Sequence, residues 1–149
     1  MSAEPHDEPG QAIIAWSWRG TALFSATAIG ATVFQALRPV AAVVALGLFA
    51  VGCIVFLVGF ATAVERSRVE AIGIGGLYFL VGSAPSTVQR SLLGSVAVEV
   101  VVGLVTAGIR MFTSLAFGTL VPMFGLGLAG LWAARYGQFG SRGMAADES

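Results

Sequence analysis

The sequence predicts an all-α polytopic membrane protein, a four-helix transmembrane bundle with a short re-entrant or interfacial segment between spans two and three. Three observations predict it. Of 149 residues, 56% are apolar and 11% are charged, against about 25% charged in ordinary soluble domains. From Gly20 to Ala134 the only charges are Arg38, Glu65, Arg66, Arg68, Glu70, Arg90, Glu99 and Arg110. Most of these separate apolar runs of membrane-crossing length. So few charges cannot cover a water-facing surface, whereas a lipid-facing one needs none. An ordinary soluble globular enzyme is excluded.

Residues 1–19 read as a cytoplasmic tail followed by an interfacial segment. Pro5 and Pro9 lie in the polar start, and Trp16 and Trp18 adjoin Arg19, a mixture suited to the headgroup layer. The acidic start does not resemble a cleaved signal peptide. Gly20–Leu37 is the first uncharged run. Arg38-Pro39 ends it and Val40–Val64 is the second, so the two form a tight antiparallel hairpin. The charged cluster Glu65–Glu70 must face water. Ala71–Ala84 is apolar but short, about 21 Å as a helix, and holds Gly73, Gly75 and Gly76 before Pro85. That is too short for a hydrocarbon core of about 30 Å, so it is expected to lie in the interface or re-enter. Val88–Ile109 is the third span and Met111–Ala134 the fourth. Residues 137–149 form a second cytoplasmic tail.

The arginines choose between topologies. With four spans, Arg19, Arg66, Arg68, Arg90, Arg135 and Arg142 share one side, against Arg38 and Arg110. With five, the division is even. The positive-inside rule expects a bias, so four spans with both termini cytoplasmic are expected, in the cell membrane.

Glu99 is the candidate functional residue, an acid near the middle of the third span, where a charge costs several kcal/mol. Ser91, Ser95, Glu99, Gly103 and Ala107 recur every fourth residue and so line one small, polar helix face. One reading is a carboxylate that takes and releases a proton or cation during transport. The other is a protonated Glu that hydrogen-bonds a neighbouring helix through Thr27, Thr32 or a backbone carbonyl. Ala22, Ala26 and Gly30 repeat the same spacing on the first span, a helix-packing face. Pro122 is a possible hinge, expected to kink the last span and free the Gly118 carbonyl.

Other signals point to packing. Gly125-Leu126-Gly127-Leu128-Ala129-Gly130 matches G-x-G-x-x-G but lacks the strand-turn-helix setting of a dinucleotide fingerprint. Its glycines are expected to thin a helix. Trp16, Trp18, Trp132 and Tyr136 are expected to anchor span ends. Cys53 is alone, as is His6, so no metal set and no internal disulfide are expected. No basic stripe suits nucleic acid. No catalytic residues and no cofactor are expected.

The run Leu120–Gly137, and the stretch Glu65–Tyr78 before it, resemble small, mostly uncharacterised multi-pass integral membrane proteins of actinobacteria. The resemblance implies a cytoplasmic-membrane location and carries over no activity or site residues. Small four-helix multidrug exporters place an essential acid in their first span; this chain has none there, which disfavours that comparison. The function expected is non-enzymatic, an accessory or structural subunit that self-associates or packs into a larger membrane complex. The alternative is a small proton-coupled transporter or channel subunit working through Glu99.

Overall fold

The computed structural model describes residues 10–143. It is all-helical, with no strand among these residues. Five α-helices follow in order: α1 (Gln11–Val33), α2 (Arg38–Arg66), α3 (Ile74–Tyr78), α4 (Ser86–Ile109) and α5 (Pro122–Tyr136). Short 3₁₀ helices, Gln35–Leu37 and Ser114–Leu120, precede α2 and α5. Three segments are long and apolar enough to cross a membrane: Gln35–Arg66, Ser86–Ile109 and Ser114–Tyr136.

The long helices are apolar on the outside and small on the inside. In α2 the buried residues are Ala41, Ala45, Gly52, Gly59 and Ala63. Val43, Ile54 and Leu57 on the same helix are more than 60% exposed. Water would penalise such a surface, whereas lipid tails are as apolar as leucine and leave close van der Waals packing of small residues to bring helices together.

Contacts climb α2 and α5 together, so these helices run parallel. Arg38 O accepts from Ser114 Oγ just before α5, Gly52 adjoins Phe124 and Gly127, Gly59 adjoins Leu131, and Arg66 reaches Ala134. Helices α1 and α4 are parallel by the same test: Trp18 meets Ser91, Thr21 meets Glu99, and Arg110 meets the Thr32 carbonyl. The start of α1 therefore lies beside the end of α5, with Gly10 against Trp132 and Tyr136. Within the described residues, both chain ends and the α2–α4 connection share one end of the molecule. The Arg38 and Arg110 turns occupy the other.

Several expectations change. Gln11–Trp18 runs on into the first apolar run without a break, because α1 is one helix from Gln11 to Val33. Its Ser, Thr and Arg residues keep its mean hydropathy low, and α1 is not among the three most apolar segments. The last run is not one kinked helix. Pro122 stands at the first residue of α5, where its missing N–H and fixed φ cost nothing. The Gly118 carbonyl is not free, since Val121 N donates to it at 3.2 Å. Trp132 is no lipid-facing anchor but a buried core residue, 3% exposed.

Ala71–Ala84 contains only the five-residue α3. Its backbone is tied to the chain's exit from α5, with Ala71 N donating to Gly140 O (2.8 Å) and Gln138 N donating to Ser83 O (2.9 Å). Leu77, Tyr78 and Leu80 join Trp132 and Ala133 in the largest core cluster. The segment covers the long helices at the end that holds both described chain ends.

Candidate functional site

The face predicted on α4 forms, and it meets α1. Ser95, Glu99 and Gly103 are buried and Ser91 is half-buried. Trp18 Nε1 donates to Ser91 Oγ at 3.0 Å. One turn further in, the Ser17 and Ser95 hydroxyls bond each other, both fully buried. Another turn brings Thr21 Oγ1 to 2.8 Å from Glu99 Oε1 and 2.9 Å from the Ser17 carbonyl. The four-residue repeat thus builds three successive polar rungs along one helix seam.

Glu99 has no solvent exposure. Its second oxygen, Oε2, has no hydrogen-bond partner. The backbone of α5 approaches it, and a Cβ added at Gly125 would lie 2.8 Å from Oε2. Gly103, next on the α4 face, adjoins the Gly118 carbonyl. Glycine at 125 and 103 lets backbone come close to the α4 face without a clash.

Neither threonine expected as a partner of Glu99 reaches it. Thr27 bonds the Leu23 and Phe24 carbonyls, and Thr32 bonds Ile29, all within α1. Thr21 takes their place. Ser17 and Thr21 lie a turn apart on α1, but a span read as starting at Gly20 leaves Ser17 in the interface and hides the pair. Ala107 is half-buried at the far end of the α4 face. The Ala22–Ala26–Gly30 face is not used within the chain: Ala22 and Ala26 are exposed, and Gly30 meets only the tip of Leu37.

The glycine motif of α5 touches three different neighbours. Gly125 faces Glu99 and Val96 of α4, Gly127 faces Gly52 of α2, and Gly130 faces the Tyr78 ring. Tyr78 is held there by stacking on Phe56, with centroids 4.6 Å apart. Burial raises the pKa of its hydroxyl above the usual tyrosine value, and that hydroxyl has no partner.

Arg66 organises the end at which α2 and α5 stop. Its guanidinium donates to the carbonyls of Ala134 (2.8 Å) and Gly137 (3.0 Å) and pairs with Glu70 at 2.6 Å. The carbonyls ending α5 have no intrahelical donors, and a cation there also opposes the negative end of the helix dipole. Sequence placed Arg66 in a water-facing cluster; the structure half-buries it. The four-residue spacing to Glu70 is a signal of the ion pair that went unread, and nothing local points to carbonyls about seventy residues away.

Among the described residues no three His, Cys, Asp or Glu side chains stand close enough to hold a metal ion. Comparison with protein-family models, curated proteins and solved structures finds no match to this chain.

Proposed function

We propose that the chain is a non-enzymatic four-span protein of the cytoplasmic membrane that self-associates, or joins a larger membrane complex, through the open face of α1. In this reading α1 is the fourth span. Its 23 residues reach about 35 Å, enough for a hydrocarbon core of about 30 Å. Its polar groups do not oppose insertion: Ser17 and Thr21 face α4, and Thr27 and Thr32 bond their own helix. Leu23, Ile29 and Val33 cover its outside. Both termini are cytoplasmic, and Ala71–Ala84 lies as an interfacial cap on that side.

The observation that carries self-association is the exposed pair Ala22 and Ala26, small residues a turn apart with no partner helix. Cysteines at either position, in a Cys53→Ser background, should cross-link into dimers when membranes are oxidised. Cross-linking no stronger than at outward-facing Val43 would remove self-association and leave only the larger complex. A cysteine at Ser86 tests the topology separately. It should be labelled from the cytoplasmic side only, and labelling from outside would mean five spans.

A second reading, a proton-coupled transporter or channel subunit, is favoured by the unpartnered Glu99 Oε2. Reconstituted wild-type protein should then support a proton-dependent flux that Glu99→Gln abolishes.

A further inference from the structure

We infer that Glu99 is a proton-binding site entered from the end of the molecule that holds both described chain ends, along the α1–α4 seam, and sealed toward the other end. The inference deepens the second reading above and is independent of self-association.

The hydrogen-bond count at Thr21 points to a proton on Glu99. Thr21 has one hydroxyl proton, yet Oγ1 lies within bonding distance of two acceptors, the Ser17 carbonyl and Glu99 Oε1. A carboxylic acid resolves the count: its O–H donates to Thr21 Oγ1, and Thr21 donates to Ser17. An ionised carboxylate would leave Oε2 negatively charged and wholly buried, with no well-formed hydrogen bond and only the Gly125 backbone beside it, an arrangement that proteins rarely tolerate. The groups packed on Glu99 offer no compensating charge. Thr21 of α1 and the backbone of Gly125 in α5, which approach it, carry no charge. Arg19 is turned outward over the Trp16 ring. A metal cation is a poor fit, because hard cations need six or more oxygen ligands and among the described residues no three His, Cys, Asp or Glu side chains are grouped to hold one.

The path is the seam itself. A cavity of about 140 Å³ opens between α1 and α4, lined by Gln11, Ile14, Thr87, Val88 and Ser91. Ser91 forms both its inner wall and the first rung. The Ser17–Ser95 pair and then Thr21 follow, each about 6 Å deeper; Ser95 also bonds the Leu92 carbonyl and Thr21 the Ser17 carbonyl, so passage between rungs requires these hydroxyls to rotate and a water to enter transiently. Each hydroxyl accepts one proton and passes one on. The net change is one proton moved from cavity water to the Glu99 carboxylate, with every hydroxyl restored. Beyond Glu99 the seam is closed. Phe24 packs with Ala28, Ala45 and Val121, and its ring adjoins Gly118. Thr106, deeper still, bonds only carbonyls of its own helix.

The test is infrared spectroscopy of the full chain in lipid vesicles, following the carbonyl band of a protonated carboxyl that Glu99→Gln removes. On transfer to heavy water the band should shift as the proton exchanges. Ser95→Ala or Ser17→Ala should keep the band but slow its exchange about tenfold, by removing one hydrogen-bonding relay group. Thr106→Val, on the sealed side and close in shape, should leave the rate unchanged. Absence of any band sensitive to Glu99→Gln would overturn the inference. So would exchange indifferent to both serines, or slowed equally by Thr106→Val. Flux lost in Glu99→Gln with exchange indifferent to the serines would leave the transporter reading standing and refute this route alone.

Discussion

The two parallel helix pairs solve the same packing problem with different chemistry. Helices α2 and α5 meet backbone to backbone, Gly52 on Gly127 and Gly59 on Leu131. Helices α1 and α4 meet through side chains, with three polar rungs ending at Glu99. A glycine seam maximises van der Waals contact and needs no polar group. A seam of buried hydroxyls and a carboxyl gains less, since hydrogen bonds between membrane helices average only about 0.6 kcal/mol. If stability were the sole requirement, the α1–α4 seam would resemble the other. Under the inference above, its polar groups bind and relay a proton.

The sharpest way to break the comparison is to enlarge the glycine seam. A Cβ at Gly127 would lie 2.6 Å from the Gly52 carbonyl oxygen and 3.2 Å from Phe56 N, both backbone atoms that cannot rotate aside. Gly127→Val should therefore separate α2 from α5 at a cost of about 3 kcal/mol or more. The check is thermal unfolding in mild detergent. A melting temperature within a few degrees of wild type would show that the helices slide past the obstruction, and the seam would lose its structural role.

A middle-sized effect is expected at the end of that seam. Arg66→Ala leaves the Ala134 and Gly137 carbonyls without their donor and frees Glu70. Hydrogen bonds to a charged group contribute about 1.5–3 kcal/mol, and Arg66 is shielded enough for the lower part of that range. The loss should be local. Amide exchange at Ala71 and Arg142, which pair with Gly140 and Val69, should accelerate far more than exchange in the middle of α2. Uniform acceleration along α2 would instead make Arg66 part of the global core.

How much of this was legible in the sequence follows from the range of each interaction. The helix hairpin at Arg38-Pro39 and the polar face of α4 were legible because both are local patterns, a proline at a boundary and a four-residue repeat. The α5 glycines were legible as packing residues, though not their three separate partners. Where Glu99 bonds was not legible. Choosing Thr21 over Thr27 and Thr32 needs the rotation of α1, which depends on the whole α1–α4 contact. Pro122 misled for a related reason. A proline inside a long apolar run predicts a kink, but Thr113, whose side chain accepts from Leu115 N, begins a 3₁₀ turn that makes Pro122 the start of a new helix. Glycine at 118 lets that turn lie against Phe24 and Gly103, a fit between distant segments that no local pattern encodes.

The smallest expected effect sharpens the polar side of the comparison. Thr21 and Thr27 share a helix and a chemistry, and both bond a carbonyl of their own helix. Only Thr21 also reaches Glu99. Thr27→Val should change stability by less than about 0.5 kcal/mol, as substitutions away from buried networks do. Thr21→Val keeps the shape but strands Glu99 Oε1 beside an already unpartnered Oε2, which should cost about 1–2 kcal/mol. The difference between two nearly identical substitutions cancels the loss of the hydroxyl itself and isolates the contact across the seam. Unfolding in a denaturing detergent series should order the proteins wild type, Thr27→Val, Thr21→Val. In a Glu99→Leu background, which has no carboxyl to strand, the gap between the two threonine variants should close. A gap that persists there would assign the Thr21 effect to helix packing and detach it from Glu99.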